Sequence, residues 1–216
     1  AETTLSVDER DMGVGLLDLG AGTSDLALFC GPIRHVVDVP LGGDDITRDL
    51  SMVLNISQRE AEQLKTQCSV GYEGEEGDDL LSFNMTSGRS NSMTRQQISE
   101  IIEARQREIF EHIGRAIEAC PHAQMLAAGL VLTGGGALMS NVFELAEEVL
   151  GLPVRLGIPQ NIVAPSMMQD PSYATAIGLL RLAGSEYNEI GRAEAPTPPS
   201  HPNGFFGKLS KILSLF

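Results

Sequence analysis

Two short apolar runs lie close together near the N-terminus, on either side of the turn Gly-Ala-Gly-Thr-Ser at residues 20–24. The runs are Val14–Leu19 and Asp25–Cys30, and a third run, Arg34–Pro40, follows after a Gly-Pro break. Apolar runs of this length that are bounded by glycine and proline are typical of strands. We therefore predict three consecutive strands, the first two of which are joined by a tight turn.

Capping residues mark the helix starts in the next part of the chain. A Ser or Thr followed three residues later by Glu or Gln can satisfy two free N–H groups at a helix start. The predicted caps are Asp44 for a helix to about residue 54, Ser57 with Glu60 for a helix to about residue 67, and Thr94 with Gln97 for a long helix. The long helix carries isoleucines at helical spacing, namely Ile98, Ile101, Ile102, Ile109, Ile113 and Ile117. Residues 71–93 are polar and glycine-rich, with one predicted strand at Leu80–Met85.

Strand and helix patterns alternate after the long helix. The predicted elements are a strand at Gly129–Thr133, a helix at about Asn141–Leu150, a strand at Val154–Leu156 and a final helix at about Ser172–Ala183. Three strands, a helix-rich block and then alternating elements favour an α/β core with a smaller α+β subdomain inserted after the third strand. We predict an inner subdomain at residues 1–42 and 126–183 and an inserted outer subdomain at residues 43–125.

The C-terminal residues change in composition twice. Residues 184–204 are rich in proline and small or polar residues, which predicts an extended linker. Residues 205–216 have two lysines and no acidic residue, and on a helix their apolar residues fall on one side: Phe205, Phe206, Leu209, Ile212, Leu213, Leu215 and Phe216. This pattern predicts an amphipathic helix that lies in a membrane interface, because twelve residues are too few to span a bilayer. A helix that docks on the protein's own core is the alternative, and the long linker argues against it.

Overall composition excludes several classes of function. The net charge is −14, which argues against nucleic acid because phosphate contacts require a basic face. The three cysteines have no C-x-x-C or C-x-x-H spacing, so neither a zinc site nor a disulfide framework is indicated. No signal peptide and no apolar run long enough to span a bilayer is present. Because the chain begins with Ala1 and not with methionine, we expect it to be part of a longer protein.

Two glycine-rich turns predict phosphate or nucleotide chemistry. In the first, Asp18 lies near the end of a strand, and the turn that follows contains Gly20, Ala21, Gly22 and Thr23, whose backbone amides and hydroxyl could contact a phosphate. Asp18 could hold a water bound to Mg²⁺ near a transferred phosphoryl group, which makes it the predicted catalytic and metal-binding residue. This turn is not a P-loop, since no Gly-Lys-Ser/Thr follows, and a simple hairpin turn is the alternative. In the second, a strand runs into Gly134, Gly135 and Gly136 before a helix, a turn that can approach a base or a phosphate.

Together the two turns resemble the second phosphate motif and the adenosine motif of the actin-like superfamily, which includes actin, the DnaK-type chaperones, MreB and FtsA. The segment "PLGGDDITRDL" is similar to the Gly-Gly turn and helix after the third strand in several of these families. The segment "AEQLK" resembles their ribose-contacting Glu-x-x-Lys, which would give that role to Glu62 and Lys65; a solvated helix face is the alternative. The segment "PSYATAIGLLRLA" resembles their closing helix.

Among these families the chain is most similar to FtsA. "DERDMGVGLLDLGAGTSDLALF", "LVLTGGGALM" and the order of body, linker and amphipathic tip all resemble it. The resemblance implies half of an actin-like (ribonuclease-H-like) ATPase that binds ATP with Mg²⁺. The superfamily's first phosphate loop is not in this sequence, so we expect weak or regulatory ATPase activity at most, and none from this half alone.

The resemblance also implies partners and a location. It implies self-association into filaments, and tethering of the tubulin-like division protein FtsZ to anionic lipids on the cytoplasmic face of the inner membrane at the division site. It places the site for the FtsZ C-terminal tail on the outer subdomain, where we predict Arg95, Gln96, Ile98 and Arg105 on the long helix. An arginine that only snorkels beside the isoleucines is the alternative for Arg105. A small-molecule kinase on the same fold is the alternative function. Such a kinase does not require an amphipathic helix at the end of a long linker, which residues 184–216 are predicted to form.

Overall fold

The structure is a computed structural model that describes residues 1, 3–71, 80–160 and 169–190. It contains seven strands: β1 Val14–Leu19, β2 Ser24–Phe29, β3 Ile33–Val39, β4 Leu80–Asn84, β5 Ser90–Thr94, β6 Leu130–Thr133 and β7 Val154–Leu156. The described residues also form six α-helices: α1 Val7–Met12, α2 Gly43–Leu54, α3 Gln58–Gln67, α4 Arg95–Glu118, α5 Val142–Leu150 and α6 Ala174–Ile190.

Five strands form one sheet, in the order β3-β2-β1-β6-β7. The three predicted N-terminal strands form an antiparallel meander, β6 pairs with β1 in parallel, and β7 pairs with β6 in parallel. Parallel neighbours need a crossover connection, and the chain between β3 and β6 supplies it with α2, α3, the β4–β5 hairpin and α4. This topology fits the predicted α/β core with additional elements after the third strand.

The hydrophobic core joins the sheet to α4. Leu17, Leu26 and Leu132 are completely buried in the strands, and they belong to one cluster with the isoleucines of α4. Five of the six predicted isoleucines are buried, and Ile101 is half-buried. The helical spacing therefore identified the buried face of α4 correctly.

The structure corrects two predicted helix caps and confirms a third. Helix α2 begins at Gly43 and not after Asp44, and the Asp45 carboxylate accepts the Gly42 N–H at its start (2.9 Å). Ser57 caps α3, but the Glu60 carboxylate accepts the N–H of Asn84 (2.6 Å), so the reciprocal bond of a capping box is missing. The capping box of Thr94 and Gln97 at the start of α4 is present.

Two elements were not predicted from the sequence. Helix α1 has six residues, none of them buried, and most of β5 lies within residues 71–93, where we predicted only the strand at Leu80–Met85. Residues 1–179 form one compact unit, and the described part of a second unit is the end of α6. The predicted inner and outer subdomains stay a prediction. Within the described residues, no helix combines the length and the apolar character that crossing a bilayer requires.

Candidate functional site

A cavity of about 410 Å³, called here the main cavity, lies where several of the predicted residues meet. The residues predicted from sequence that line it are Gly20, Ala21, Glu62, Lys65, Gly135 and Gly136. They come from the β1–β2 turn, from α3 and from the turn after β6, which are far apart in sequence. Its other lining residues include apolar side chains of α2, α4 and the segment before α5: Ile46, Ile109, Leu138 and Met139.

The β1–β2 turn is both a hairpin turn and part of the cavity wall. The Gly20 N–H donates to Thr23 O (3.0 Å), which closes a short turn between two antiparallel strands. Gly20 and Ala21 line the main cavity, whereas Gly22 and Thr23 are exposed and do not line it. The sequence left open whether this motif is a phosphate-binding turn or a simple hairpin turn. The two interpretations are compatible.

A second turn is fixed to the first by backbone hydrogen bonds. The N–H of Gly43 donates to Gly20 O (3.1 Å), and the N–H of Asp44 donates to Ala21 O (2.8 Å). A Cβ at Gly42 would lie 2.5 Å from Ala21 O, so only glycine allows this close approach. The start of α2 is thus held against the β1–β2 turn, and Gly42 and Gly43 line the main cavity.

Glu62 and Lys65 form an ion pair at the rim of the cavity. The Lys65 Nζ contacts Glu62 Oε2 (2.7 Å), Thr47 Oγ1 (2.9 Å) and Gly43 O (3.0 Å). An ammonium group has three N–H donors, so these partners use all of them. Lys65 therefore holds Glu62 and the start of α2 in place, while the Glu62 side chain stays 48% exposed and can accept further hydrogen bonds.

The charge of Glu62 is stabilised by this arrangement. Partial burial raises the pKa of Glu62, but the hydrogen bonds from Lys65 and Thr47 outweigh burial, so the net pKa is below its ordinary value. Glu62 is accordingly ionised at neutral pH. An ionised carboxylate at a cavity rim is suited to accept hydrogen bonds from hydroxyl groups.

Asp18 lies beside the cavity and does not line it. Thr175 Oγ1 donates to Asp18 Oδ2 (2.6 Å) from the start of α6. A Cβ at Gly134 would lie 2.3 Å from Asp18 Oδ1, and the φ of Gly134 is +84°, so this position requires glycine. Gly134 also does not line the cavity; its N–H donates to Pro171 O (3.2 Å), which fixes the turn that presents Gly135 and Gly136. Within the described residues, no group of three or more His, Cys, Asp or Glu side chains could enclose a metal ion.

Several polar residues of the cavity were not predicted from the sequence, and Gln106 is the most deeply buried one on α4. Its side chain lines the main cavity from α4, and its exposed fraction is 4%. Gln106 lies four residues after Ile102 and three before Ile109, on the buried isoleucine face. A polar residue within an apolar helix face can be detected in the sequence. The prediction for this helix, however, concerned Arg105 and not Gln106.

The residues predicted to bind a partner do not form one surface. Ile98 is completely buried, so predicting it as a contact residue was wrong; it packs in the core. Arg105 makes a bidentate ion pair with Asp49, in which its Nε lies 2.5 Å from Oδ2 and its Nη2 lies 3.0 Å from Oδ1. Its Nη1 contacts Glu108 Oε2 (2.8 Å). The Arg95 guanidinium donates to the carbonyl of Gln67, and the Gln96 amide donates to Glu100 (3.3 Å).

Arg105 lies in a groove of about 610 Å³, called here the α2–α4 groove. The groove is lined by Asp49, Val53, Met93, Gln97, Glu100, Ile101, Ala104, Arg105 and Glu108. Neither Arg95 nor Gln96 lines it. The predicted membrane-binding residues, Phe205, Phe206, Leu209, Ile212, Leu213 and Phe216, lie outside the described residues.

Comparisons with known proteins identify the family. The family model "Cell division protein FtsA" matches residues 15–178. FtsA of Pseudomonas aeruginosa is 34% identical over 184 residues, which are 83% of this chain and 44% of that protein. FtsA of Bacillus subtilis is 37% identical over 183 residues, which are 83% of this chain and 40% of that protein. The chain thus spans less than half the length of these curated relatives.

Solved structures identify the fold. MreB5 of Spiroplasma citri bound to ADP superposes with a TM-score of 0.67 at 17% identity, over 86% of this chain and 60% of that chain. A chain of the PilM–PilN type IV pilus biogenesis complex superposes with a TM-score of 0.59 at 23% identity, over 81% of this chain and 47% of that chain. The family match extends from β1 into α6 and includes both glycine-rich turns. The chain therefore belongs to the FtsA family of cell division proteins and has an actin-like α/β fold.

Proposed function

We propose that this chain forms one wall of the ATP site of an actin-like cell-division protein that tethers FtsZ filaments to the cytoplasmic membrane. The convergence of three separate sequence motifs on the main cavity carries the nucleotide part of this proposal. MreB5 of Spiroplasma citri, which shares the fold, has been solved with ADP and with AMPPNP. The FtsA relatives support the cell-division part.

The cavity offers different chemistry to different parts of ATP. The Gly20–Ala21 turn leaves room for phosphate to approach the backbone, while Glu62 can accept hydrogen bonds from ribose hydroxyls. Gly135 and Gly136 present a flat backbone surface to the adenine ring. Asp18 lies beside the phosphate turn and fits Mg²⁺, because this ion usually keeps several waters and takes one or two protein carboxylates together with substrate phosphates.

Gly135→Val tests the nucleotide site. A Cβ at Gly135 would have no other atom within 4 Å, and Gly135 lines the main cavity. The valine side chain should therefore fill the space for adenine without disturbing the fold. We expect calorimetric titration of the full-length protein with Mg-ATP to show at least a tenfold loss of affinity. This corresponds to a loss of at least about 1.4 kcal/mol of binding free energy when the valine fills the space for adenine.

Gly151→Ala is a suitable control for this titration. A Cβ at Gly151 also has no other atom within 4 Å, but Gly151 ends α5 and does not line the main cavity. Its φ of +64° makes the substitution slightly strained, so this variant tests whether a change in stability alone affects binding. If Gly135→Val bound ATP as tightly as wild type, the main cavity would be excluded as the nucleotide site.

We place the site for the FtsZ tail in the α2–α4 groove. Exposed Val53 and half-buried Met93 and Ile101 offer apolar contacts, and Arg105 offers a guanidinium for a carboxylate. Asp49 and Glu108 already pair with Arg105 and offset its positive charge, so an acidic tail residue gains less from this guanidinium than from a free one. Apolar contacts must therefore supply most of the affinity.

Two neighbouring residues of α2 provide a matched pair for testing the groove. Val53 is 63% exposed and lines the groove, whereas Met52 is 66% exposed and does not. We expect Val53→Glu to weaken binding of a fluorescent FtsZ C-terminal peptide about tenfold, since a charge replaces an apolar contact. Met52→Glu should leave the peptide's anisotropy curve unchanged. Equal binding by both variants would exclude the groove.

The membrane part of the proposal depends on the sequence of residues 205–216. A single short helix with two lysines should bind anionic lipid weakly, with about 1 kcal/mol from each lysine. Filaments would present many such helices together and bind far more tightly. Sedimentation with anionic liposomes tests this: Leu209→Glu with Ile212→Glu should abolish lipid association of the full-length protein. Association that survives the double substitution would show that another segment is the anchor.

A further inference from the structure

The Asp18 carboxylate is contacted by two segments that are distant from it in sequence. Thr175 Oγ1, in the first turn of α6, donates to Asp18 Oδ2 (2.6 Å) across 157 residues of sequence. The other carboxylate oxygen, Oδ1, packs so closely against Gly134 that a Cβ there would lie 2.3 Å away. One oxygen therefore has a hydrogen-bond donor and the other a close backbone neighbour, and together these contacts restrict the rotation of the carboxylate.

The segment that leads into Thr175 is itself attached to the end of the sheet. Pro171 O accepts the N–H of Gly134 (3.2 Å) and the hydroxyl of Thr133 (3.1 Å). Thr133 is buried, and it is the register partner of Asp18 in the parallel pair of β6 and β1. Thr175 thus approaches Asp18 from a segment that is hydrogen-bonded to the carboxyl end of β6 at two points.

Asp18 keeps the capacity to bind further groups. An ionised carboxylate can accept about four hydrogen bonds, and the Thr175 hydroxyl uses one of these positions. Carboxylates that hold a metal ion are usually oriented by hydrogen bonds from neighbouring groups. A hydroxyl group suits this task, because it orients the carboxylate without cancelling the negative charge that attracts a cation.

We propose that Thr175 is a positioning residue, whose hydroxyl fixes the orientation of the Asp18 carboxylate for the Mg²⁺ that accompanies ATP. This inference rests on the proposed nucleotide site and deepens it, because it gives α6 a part in nucleotide binding. Without the hydroxyl, the Asp18 carboxylate is free to rotate. The contribution of Mg²⁺ to ATP affinity then falls, while the contacts made by Glu62, Gly135 and Gly136 stay unchanged.

Thr175→Val removes the hydroxyl and keeps the shape of the side chain. Because Thr175 is exposed, the added methyl group causes no buried clash. We expect calorimetric titration of the full-length protein to show about tenfold weaker binding of Mg-ATP and unchanged binding of ATP in excess EDTA. Thr175→Ser, which retains the donor, should bind Mg-ATP as wild type does.

Thr86→Val is the matched control for these titrations. Thr86 Oγ1 donates to Asn55 Oδ1 (2.7 Å), which is also an exposed bond from a threonine hydroxyl to a side-chain oxygen. Thr86 follows β4 and does not line the main cavity. The control variant should therefore change neither the Mg-ATP affinity nor the affinity measured in EDTA.

A double-mutant cycle with Asp18→Ala separates a positioning role from a structural one. If Thr175 acts through Asp18, Thr175→Val should weaken Mg-ATP binding only when Asp18 is present. Adding Thr175→Val to Asp18→Ala should then change nothing. A hydroxyl that only stabilised α6 would lower the affinity by the same factor in both backgrounds.

The outcomes distinguish this inference from the proposed site itself. If wild type binds no ATP with or without Mg²⁺, the proposed nucleotide site fails and the inference fails with it. If wild type binds ATP and Thr175→Val binds Mg-ATP equally tightly, only the role of Thr175 is refuted. Equal losses of affinity with and without Mg²⁺, or independent losses in the cycle, would also refute it, since Thr175 would then act on the fold and not through Asp18.

Discussion

The two adjacent glycines after β6 should differ strongly in how much stability the same substitution to alanine costs. An alanine at Gly134 would place its Cβ 2.3 Å from Asp18 Oδ1 and 2.6 Å from Leu19 O, at a φ of +84°. The positive φ costs about 1–2 kcal/mol for an L-residue, and the overlap adds about 1–3 kcal/mol. At Gly135 an added Cβ meets no atom within 4 Å, so we expect a change within about 0.5 kcal/mol.

Thermal unfolding followed by circular dichroism measures this difference. For a protein of this size, 1 kcal/mol corresponds to about 2–4 °C in unfolding temperature, so a total cost of about 2–5 kcal/mol should make Gly134→Ala unfold about 4–20 °C below wild type. Gly135→Ala should unfold within about 2 °C of wild type. If the two variants unfold at the same temperature, the close contact between the β6 turn and the end of β1 does not determine stability, and the reasoning is wrong.

Two further predictions concern ion pairs. A hydrogen bond from Arg155 lowers the pKa of Glu9 to about 2, so its contribution to stability is complete above about pH 4.5 and is lost as the pH falls toward 2. Because the pair is partly exposed, Glu9→Gln should cost about 1 kcal/mol in urea unfolding at pH 7 and clearly less at pH 2, where Glu9 is about half protonated in the folded protein; an equal cost at both would exclude the ion pair. Lys65→Met should raise the pKa of Glu62, since burial then acts without the opposing charge. It should also weaken ATP binding about tenfold in calorimetry, and unchanged binding would mean that Glu62 needs no support from Lys65.

Local patterns predicted the central elements of the fold and failed where burial was absent. The apolar runs of β1 and β6 and the isoleucines of α4 are buried in the structure, so the sequence reflects their environment directly. Helix α1 and strand β5 have no fully buried residue, and such elements leave no apolar period to detect.

The candidate site was predictable only in part for the same reason. Glycine-rich turns and the Glu62–Lys65 pair are local motifs, and their convergence on one cavity followed from a known family arrangement. The partners of a side chain are not local. Nothing in the sequence identified a partner for Arg105, because Asp49, its partner, lies 56 residues earlier. Gln106 differs from the apolar residues on its helix face, but the other segments that build its cavity are distant in sequence.

The hydrogen bonds between the β1–β2 turn and the start of α2 couple the position of the helix to the position of the turn. Its twelve residues extend about 18 Å, with Gly43 held against Gly20 at one end and Val53 in the α2–α4 groove near the other. A rigid helix cannot absorb a displacement of one end, so a tilt of about 5° at the turn would move the far end by about 1.5 Å. A ligand that displaced the β1–β2 turn would therefore change the width of the groove, and by linkage a partner that binds the groove would then change the affinity for that ligand by the same factor as the ligand changes the affinity for the partner.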